Sequence, residues 1–465
     1  MFVKKRILVM IVGQGSLNYF IRSGLINKMQ AFSEPVICLL WEQADLQEEL
    51  QAAGFEVHVM PGFRPEAEYQ KLRIQLNAWY YACVLKSVST KIESRYLFQS
   101  FSFRKKLSKR KEVILQQFRR CFKPGYIKKL KAQEETLVKL QPGYNAIKDW
   151  LNELKPDAYF TATPFLLSSE LMGRLCRDSG LPVFAAICSF DNVTKRGWPA
   201  IFFDHYIIWN KYNKGELQRI NPLIKDEQIS ITGAPQFDAH ILRSNHLSKD
   251  KWLQALGLPA GKKIILYGGG PAKLLPHETQ YVQHLKAALE NGGIKNAVLL
   301  FRSHPLDDLQ RWIDEVGTSE YIFYDSAPMG KVNRDYTNVT ITDIEKLLAT
   351  LKFTDVHINL CSTMAVDGSI FNKPQIAPFY DLEKPGTQKL LRDLYFQEHY
   401  LPIVSSGAIH FAKSKKDLIY LVNNSLENPS AFIQGNKKCV EEIISFTDGK
   451  SAERVAATIQ TLLGE

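Results

Sequence analysis

Residues 358–376 read INLCSTMAVDGSIFNKPQI. The apolar start continues back through VHINLC (356–361), which reads as a buried strand. From Ser362 to Asn372 the pattern turns amphipathic and helical, and Pro374 then opens a second apolar run, PQIAPF (374–379). A strand, a helix and another strand form a parallel unit, since antiparallel neighbours need only a short turn between them. At its first corner stand Ser362 and Thr363, with Asp367 one helical turn on. Two readings of the pair compete. Ser and Thr are ordinary helix caps. A helix start also offers free N–H groups and a positive dipole end, which suit phosphate.

The same alternation extends outward through most of the 465 residues. Strands are expected at RILVMIVG (6–13), PVICLLW (35–41), EVHVMPG (56–62), DAYFTAT (157–163), PVFAAIC (182–188), HYIIWN (205–210) and ISITGAP (229–235). A polar stretch, RSNHLSKDKW (243–252), looks like a crossing, after which the pattern restarts at KKIILYGGG (262–270), NAVLLFRSHP (296–305) and YIFYDS (321–326). The chain is too long for one core. The expectation is an α/β protein with two Rossmann-like parallel sheets facing a cleft: domains 1–245 and 246–445, then a C-terminal helix, 446–465. From about 65 to 150 the strand pattern gives way to a long basic segment of helical pattern, an insertion in the first domain. Ligands of such sheets bind beyond the carboxyl ends of the strands, and a cleft between two sheets is the natural site.

Apolar residues make up 45% and charged ones 23%, an ordinary globular composition. No apolar run reaches the ~20 residues of a membrane span. The opening MFVKKRILVMIVGQG is basic then apolar, but no small-residue cleavage site follows and the run fits a first strand. A cytoplasmic location is expected. The cysteines are Cys38, Cys83, Cys121, Cys176, Cys188, Cys361 and Cys439, an odd set of seven with no CxxC. That pattern argues for reduced thiols rather than a disulfide framework or a zinc site. Cys38, Cys188 and Cys361 lie in apolar runs and read as small core residues. The net charge of +11 is concentrated. Fifteen Lys and Arg lie between Lys86 and Lys131, against only Glu93 and Glu112. An anionic partner is implied: membrane surface, nucleic acid or acidic substrate.

Few residues close the strands. Gly13-Gln14-Gly15 precedes a helix; it is either a tight turn or a place where an acceptor or leaving group meets backbone, at Gly15. Gly268-Gly269-Gly270 is either a permissive loop or one whose N–H groups approach phosphate. In FRSHP (301–305), Arg302 and His304 share strand parity and are candidates to meet a phosphate or nucleotide. CSFDNVTKRGW (188–198) has no period; it carries Asp191, Asn192 and Lys195 at the expected cleft. Asp191 is the candidate general base on a hydroxyl, although Asp and Asn also favour plain turns.

Together, RSHP, LCSTMAVDGSIFNKP, the GAPQFD step (233–238), the SFDNVTKRGW loop and DGKSAERVAATI (448–459) resemble bacterial surface-polysaccharide glycosyltransferases of the GT-B fold. More narrowly, they are similar to the group holding CDP-glycerol glycerophosphotransferases, capsule Kdo transferases and UDP-GlcNAc 2-epimerases. The resemblance implies that Arg302, His304, Ser362 and Thr363 hold the donor's phosphates and that Asp367 meets its ribose, and it places Asp191 at the cleft. Gly269 and Gly270 are further candidates for the donor side, and Gly15, Asn192 and Lys195 for the acceptor side, from their places at the strand ends. Two departures stand out: the epimerase Gly-Gly turn is here Ser-Thr, and the E-x7-E donor motif is missing. The implied activity is metal-independent transfer of a sugar from a nucleotide-activated donor to a glycan or lipid-linked glycan, with no cofactor. Polyol-phosphate transfer and sugar epimerisation are the alternatives on the same fold. Aromatics interleaved with cations in YLFQSFSFRKK (96–106) suggest that 86–131 meets anionic membrane, peripherally at its inner face. Nucleic-acid binding through that segment is the rival of another class; it matches no standard module, so no nucleic-acid partner is expected.

Overall fold

Seven strands make the first sheet of the computed structural model: β1 (Lys5–Ile11), β2 (Ser33–Leu39), β3 (Glu56–Val59), β4 (Ala158–Thr161), β5 (Val183–Ala186), β6 (His205–Ile208) and β7 (Ile229–Ile231). The structure describes residues 4–97, 111, 115, 125–272, 274–305, 307–327, 339–383 and 385–464. The strand order is β3-β2-β1-β4-β5-β6-β7, and every pairing is parallel. Ile7 through Ile11 are fully buried, as a strand covered by helices on both faces requires. The chain adds strands to one side of β1 up to β3 and to the other side from β4 on, so this unit's switch point lies between β1 and β4.

A second sheet holds β8 (Lys263–Gly268), β9 (Ala297–Arg302), β10 (Ile322–Asp325), β11 (Val356–Asn359), β12 (Gln375–Pro378) and β13 (Ile409–Ala412). Its order is β10-β9-β8-β11-β12-β13, again parallel throughout. The unit around 358–376 is therefore β11, the helix Met364–Ile370 and β12. Strand β13 escaped the sequence reading. It is four residues long at the sheet edge, and two of its residues are only partly buried, so its apolar signal is weak.

The chain forms two compact units, Met1–Gln236 with Ser451–Glu465, and Phe237–Lys450. The change of unit comes earlier than the expected 245/246. The short helix Asp238–Leu242 already belongs to the second unit, where His240 Nε2 meets Asp367 Oδ1 at 2.7 Å. The terminal helix Ser451–Leu463 returns to the first unit instead of standing alone. Its buried stripe includes Val455 and Ile459, it packs on the helix Leu25–Met29, and Lys28 meets Glu453 at 3.1 Å.

Within 65–150 most described residues are helical, among them Ala67–Tyr80, Tyr126–Lys139 and Tyr144–Leu154. This insertion is docked through buried charge. Tyr69 donates to Glu134 at 2.7 Å, Arg174 donates to the other Glu134 oxygen at 2.8 Å, and Arg73 donates to Glu170 at 2.7 Å. Lys131 lies over the rings of Trp79 (5.1 Å) and Trp198 (4.5 Å), a cation–π contact that engages one of the segment's charges within the fold. Most of the basic stretch 86–131, including Arg104 to Lys106, lies outside the described residues. Among the described residues, no helix is long and apolar enough to cross a membrane.

The second unit's core contains an acid. Glu278 is buried just ahead of the helix Thr279–Glu290; it accepts from the Gly270 N–H at 2.9 Å and faces the Tyr267 hydroxyl at 3.1 Å. Burial pushes its carboxyl up from 4.5 to about 8, against the pull of the Gly270 N–H and Tyr267. Between those two values the unfolded chain has released this proton while the folded chain still holds it. Stability from this group therefore falls as pH rises from about 4.5 to about 8. Gln mimics the protonated acid: its oxygen accepts from Gly270 and its amide donates to the Tyr267 oxygen. Glu278→Gln is expected to remove this part of the decline in melting temperature, and thermal melts across that window check it. An unchanged slope would mean that Glu278 ionises freely in the fold.

Candidate functional site

Parallel pairing brings three strand ends of the second unit to one level. In register, Gly268 of β8 stands beside Arg302 of β9 on one side and Asn359 of β11 on the other. The glycines, the Arg-Ser-His corner and the Ser-Thr turn thus open from three adjacent strands, at the switch point of the sheet.

The glycines are there for packing. A Cβ on Gly268 would lie 2.6 Å from Met364 Sδ, and one on Gly269 would lie 2.8 Å from the Phe301 ring. The Gly269 N–H donates to the Arg302 carbonyl at 2.9 Å, and the Gly270 N–H is taken by Glu278. Neither amide is open to a phosphate in this structure, and the small residues instead let the Ser-Thr turn and Phe301 close on β8.

Arg302 is buried and ion-paired to Asp325, its register partner on β10; Lys346 reaches the other Asp325 oxygen at 2.5 Å. The expected phosphate ligand is thus a strand-end anchor, because a guanidinium in that position needs a buried counter-charge. His304 stands beyond the strand, half-buried. Burial lowers its pKa below the usual 6.5, opposed by Asp307, so its imidazole is neutral at pH 7.

The Ser-Thr turn is held from behind. Cys361 sits in the left-handed region, φ 48°, uncommon for a residue with a side chain. Its N–H donates to Tyr395 Oη at 2.9 Å, and the Tyr400 hydroxyl donates to the Ser362 carbonyl at 2.9 Å. The Ser362 hydroxyl accepts from the Met364 N–H at 3.2 Å, a local cap. Thr363 is exposed and makes no side-chain cap. Asp367, expected at a ribose, is engaged by His240, whose ring stands 5.0 Å from Phe237 and 5.8 Å from Phe371. Sequence reasoning missed His240, Tyr395 and Tyr400. Only the GAPQFD step, two residues before His240, pointed to that region.

In the first unit, Ser16 Oγ accepts from the N–H groups of Val12 (2.9 Å) and Gly13 (3.1 Å) and so shapes the turn after β1. A Cβ on Gly15 would stand 3.0 Å from Cys188 Sγ, so glycine here lets the helix start approach the end of β5. Burial pushes the Cys188 thiol up to about 12, as for Cys38, so neither is a ready thiolate; Cys38 is a core residue, whereas Cys188 is only partly buried. Asp191 is clamped: Ser189 Oγ and Asn192 Nδ2 (3.3 Å) meet one oxygen, and Lys195 Nζ meets the other at 3.3 Å. The loop thus gathers Asp191, Asn192 and Lys195, with Gly15 lying against Cys188 at its root.

By overall structure the chain is similar to several solved proteins. The Staphylococcus aureus MnaA-UDP co-structure matches with a TM-score of 0.57 at 11% identity, over 99% of this chain and 97% of that one. UDP-GlcNAc 2-epimerase from Neisseria meningitidis, bound to UDP-GlcNAc, matches with 0.56 at 10% identity, over 99% and 100%. The calicheamicin glycosyltransferase CalG4 matches with 0.51 at 10% identity, over 100% and 99%. These likenesses show the two-sheet GT-B fold. No curated protein matches by sequence. The profile of the family described as CDP-glycerol:poly(glycerophosphate) glycerophosphotransferase matches residues 200–461. More than half of the chain is covered, including β8 to β13 and every second-unit corner described above, and the protein therefore belongs to that family of transferases.

Proposed function

We propose that the protein transfers a sugar from a nucleotide-activated donor to a glycan or lipid-linked glycan, and that the second unit binds the donor. The observation that carries this reading is the common level of the three strand ends after β8, β9 and β11. His304 and the hydroxyls of Ser362 and Thr363 are the proposed phosphate contacts. A neutral imidazole donates one hydrogen bond to a phosphate oxygen without carrying charge. Arg302, held by Asp325, anchors the corner from which His304 projects. Asp367, held by His240, is the proposed ribose contact, one of its oxygens remaining for a hydroxyl. The two relatives whose structures contain UDP or UDP-GlcNAc support a nucleotide ligand. The family match favours a second reading in which the transferred group is a polyol phosphate.

In either reading an acceptor hydroxyl attacks the donor and loses its proton. The nucleotide leaves with the electrons of the broken bond: C–O at the sugar carbon, or P–O of the diphosphate bridge. Asp191 is the proposed acceptor of the proton. Asn192 and Lys195 orient its carboxylate, and Gly15 leaves room for the acceptor. The basic segment 86–131 is proposed to bring the enzyme to anionic lipid.

Three experiments test these roles. A thermal-shift screen against UDP, CDP, GDP and CMP, with UDP-sugars and CDP-glycerol, is expected to show one selective stabiliser. His304→Ala should weaken that ligand by about 1–3 kcal/mol, the scale of a hydrogen bond to a charged group; equal binding with the fold intact removes His304 from the site. Asp191→Asn should lower turnover by roughly 10²–10⁴ at unchanged nucleotide affinity. Wild-type turnover in that variant would put the base elsewhere. In co-sedimentation, wild type should pellet with anionic vesicles at low salt, each nearby cation contributing about 1 kcal/mol. A variant with Arg104, Lys105, Lys106, Lys109, Arg110 and Lys111 changed to Gln should stay in solution; if it still pellets, the segment is not the contact.

A further inference from the structure

We propose that the first unit holds a binding site for a phosphate-headed amphiphile, in a cavity of about 450 Å³ between the helix Ala67–Tyr80 and the loops that follow β4 and β5. The site deepens the acceptor half of the function proposed above; it rests on that reading for its role but not for its ligand. The volume is that of a small-molecule site, and the position is at the carboxyl ends of two adjacent strands, where α/β sheets bind ligands.

Two kinds of surface meet in this cavity. One part is apolar, with Phe165, Leu166 and Ile74, the last left 60% exposed on the insertion helix. The other part is cationic, with Arg73, Lys195 and Arg196, and among the described residues no carboxylate lines the cavity. Behind the wall, Arg73 is balanced by Glu170 at 2.7 Å and Glu134 at 3.5 Å, yet its buried Nη1 makes no hydrogen bond. Lys195 is shared with Asp191. Arg196 is exposed and has no carboxylate partner among the described residues. The lining therefore presents a positive charge that its own acids do not cancel. Two of its three cations are guanidinium groups, whose forked donors match phosphate oxygens.

The cavity is also preformed. The Trp198 N–H donates to Asn77 Oδ1 at 2.7 Å, which ties the loop to the insertion helix. A Cβ on Gly197 would lie 2.7 Å from that same oxygen, so glycine permits the close approach. A head group at Arg196 and Lys195 would lie beside the loop carrying Asp191, with its tail along Ile74, Phe165 and Leu166. A free phosphate would leave the apolar wall unused, and a neutral amphiphile would leave Arg196 unpaired. Both are weaker ligands than a molecule with both parts.

Calorimetric titration of the full chain with octyl phosphate, kept below its micellar concentration, tests the site. Octyl glucoside carries the same tail without the charge, and inorganic phosphate the charge without the tail. Each should bind at least about tenfold more weakly, since a charge-assisted hydrogen bond or a buried alkyl chain is worth that much. Arg196→Gln and Ile74→Asp both change side chains that reach solvent, and each should weaken octyl phosphate about tenfold. Neither should alter the nucleotide-induced thermal shift. Octyl phosphate binding no tighter than the two controls, or binding equally in both variants, overturns the site even if a nucleotide still stabilises the protein. Absence of any nucleotide shift, with octyl phosphate binding intact, would instead sink the donor reading and leave this site standing.

Discussion

The parallel pairing of β8 with β9 on one side and β11 on the other is the constraint on which the second unit depends. Once Gly268 stands beside both Arg302 and Asn359, three corners must leave the sheet together. Met364 and Phe301 fill the space where those corners converge and leave no room for a side chain at positions 268 and 269. Glycine there is a consequence of the strand register. The turn after β11 is forced in the same way: Cys361 takes a left-handed conformation, and Tyr395 and Tyr400 hold the backbone from the opposite side. Strain of this kind costs on the order of 1–3 kcal/mol and persists only where surrounding contacts determine it.

Around these corners, much of the polar equipment is already engaged. Asp325 neutralises Arg302, Glu278 takes the Gly270 amide, and His240 takes Asp367. Buried polar groups without partners cost more than paired ones gain, so a folded interior satisfies them first. Toward the strand mouths stand a neutral imidazole, His304, and the hydroxyls of Ser362 and Thr363, groups that meet a phosphate through hydrogen bonds more than through charge. Charge is more prominent in the first unit, where Arg196, exposed and with no carboxylate partner among the described residues, stands beside an apolar wall.

The insertion links the two halves of that first-unit chemistry. Its helices carry Tyr69, Arg73 and Glu134 into a buried network with Glu170 and Arg174, and its Trp79 shares Lys131 with Trp198 of the polar loop. Breaking a network of this kind at one member leaves an uncompensated buried charge, which costs about 3–5 kcal/mol. The helix Ala67–Tyr80 is thereby fixed as one wall of the cavity. A segment whose composition suggests only attraction to anions is, in its described part, also a structural element of the first unit.

The sequence by itself determined the two-sheet α/β architecture, the positions of the strand-end corners and the existence of the insertion. These are written in periodicity, which is local: apolar runs and helical spacing within about ten residues decide strand or helix. It did not reveal β13, whose short edge run is only half-buried and so carries little apolar signal. It also did not reveal which polar residues stay available. Arg302 and His304 looked alike on the chain, two residues apart. The register of β9 with β10 hands Arg302 to Asp325, while His304 lies past the last paired residue of β9. Asp367 looked ready for a ribose, and His240, 127 residues earlier, holds it. The cavity beside Asp191 draws its walls from residues near 70, 165 and 196. Only the tertiary structure decided these matters. A buried charge or hydrogen-bonding group takes its partner from whatever the strand order places within about 3 Å, and that neighbour is set by topology rather than by nearness along the chain.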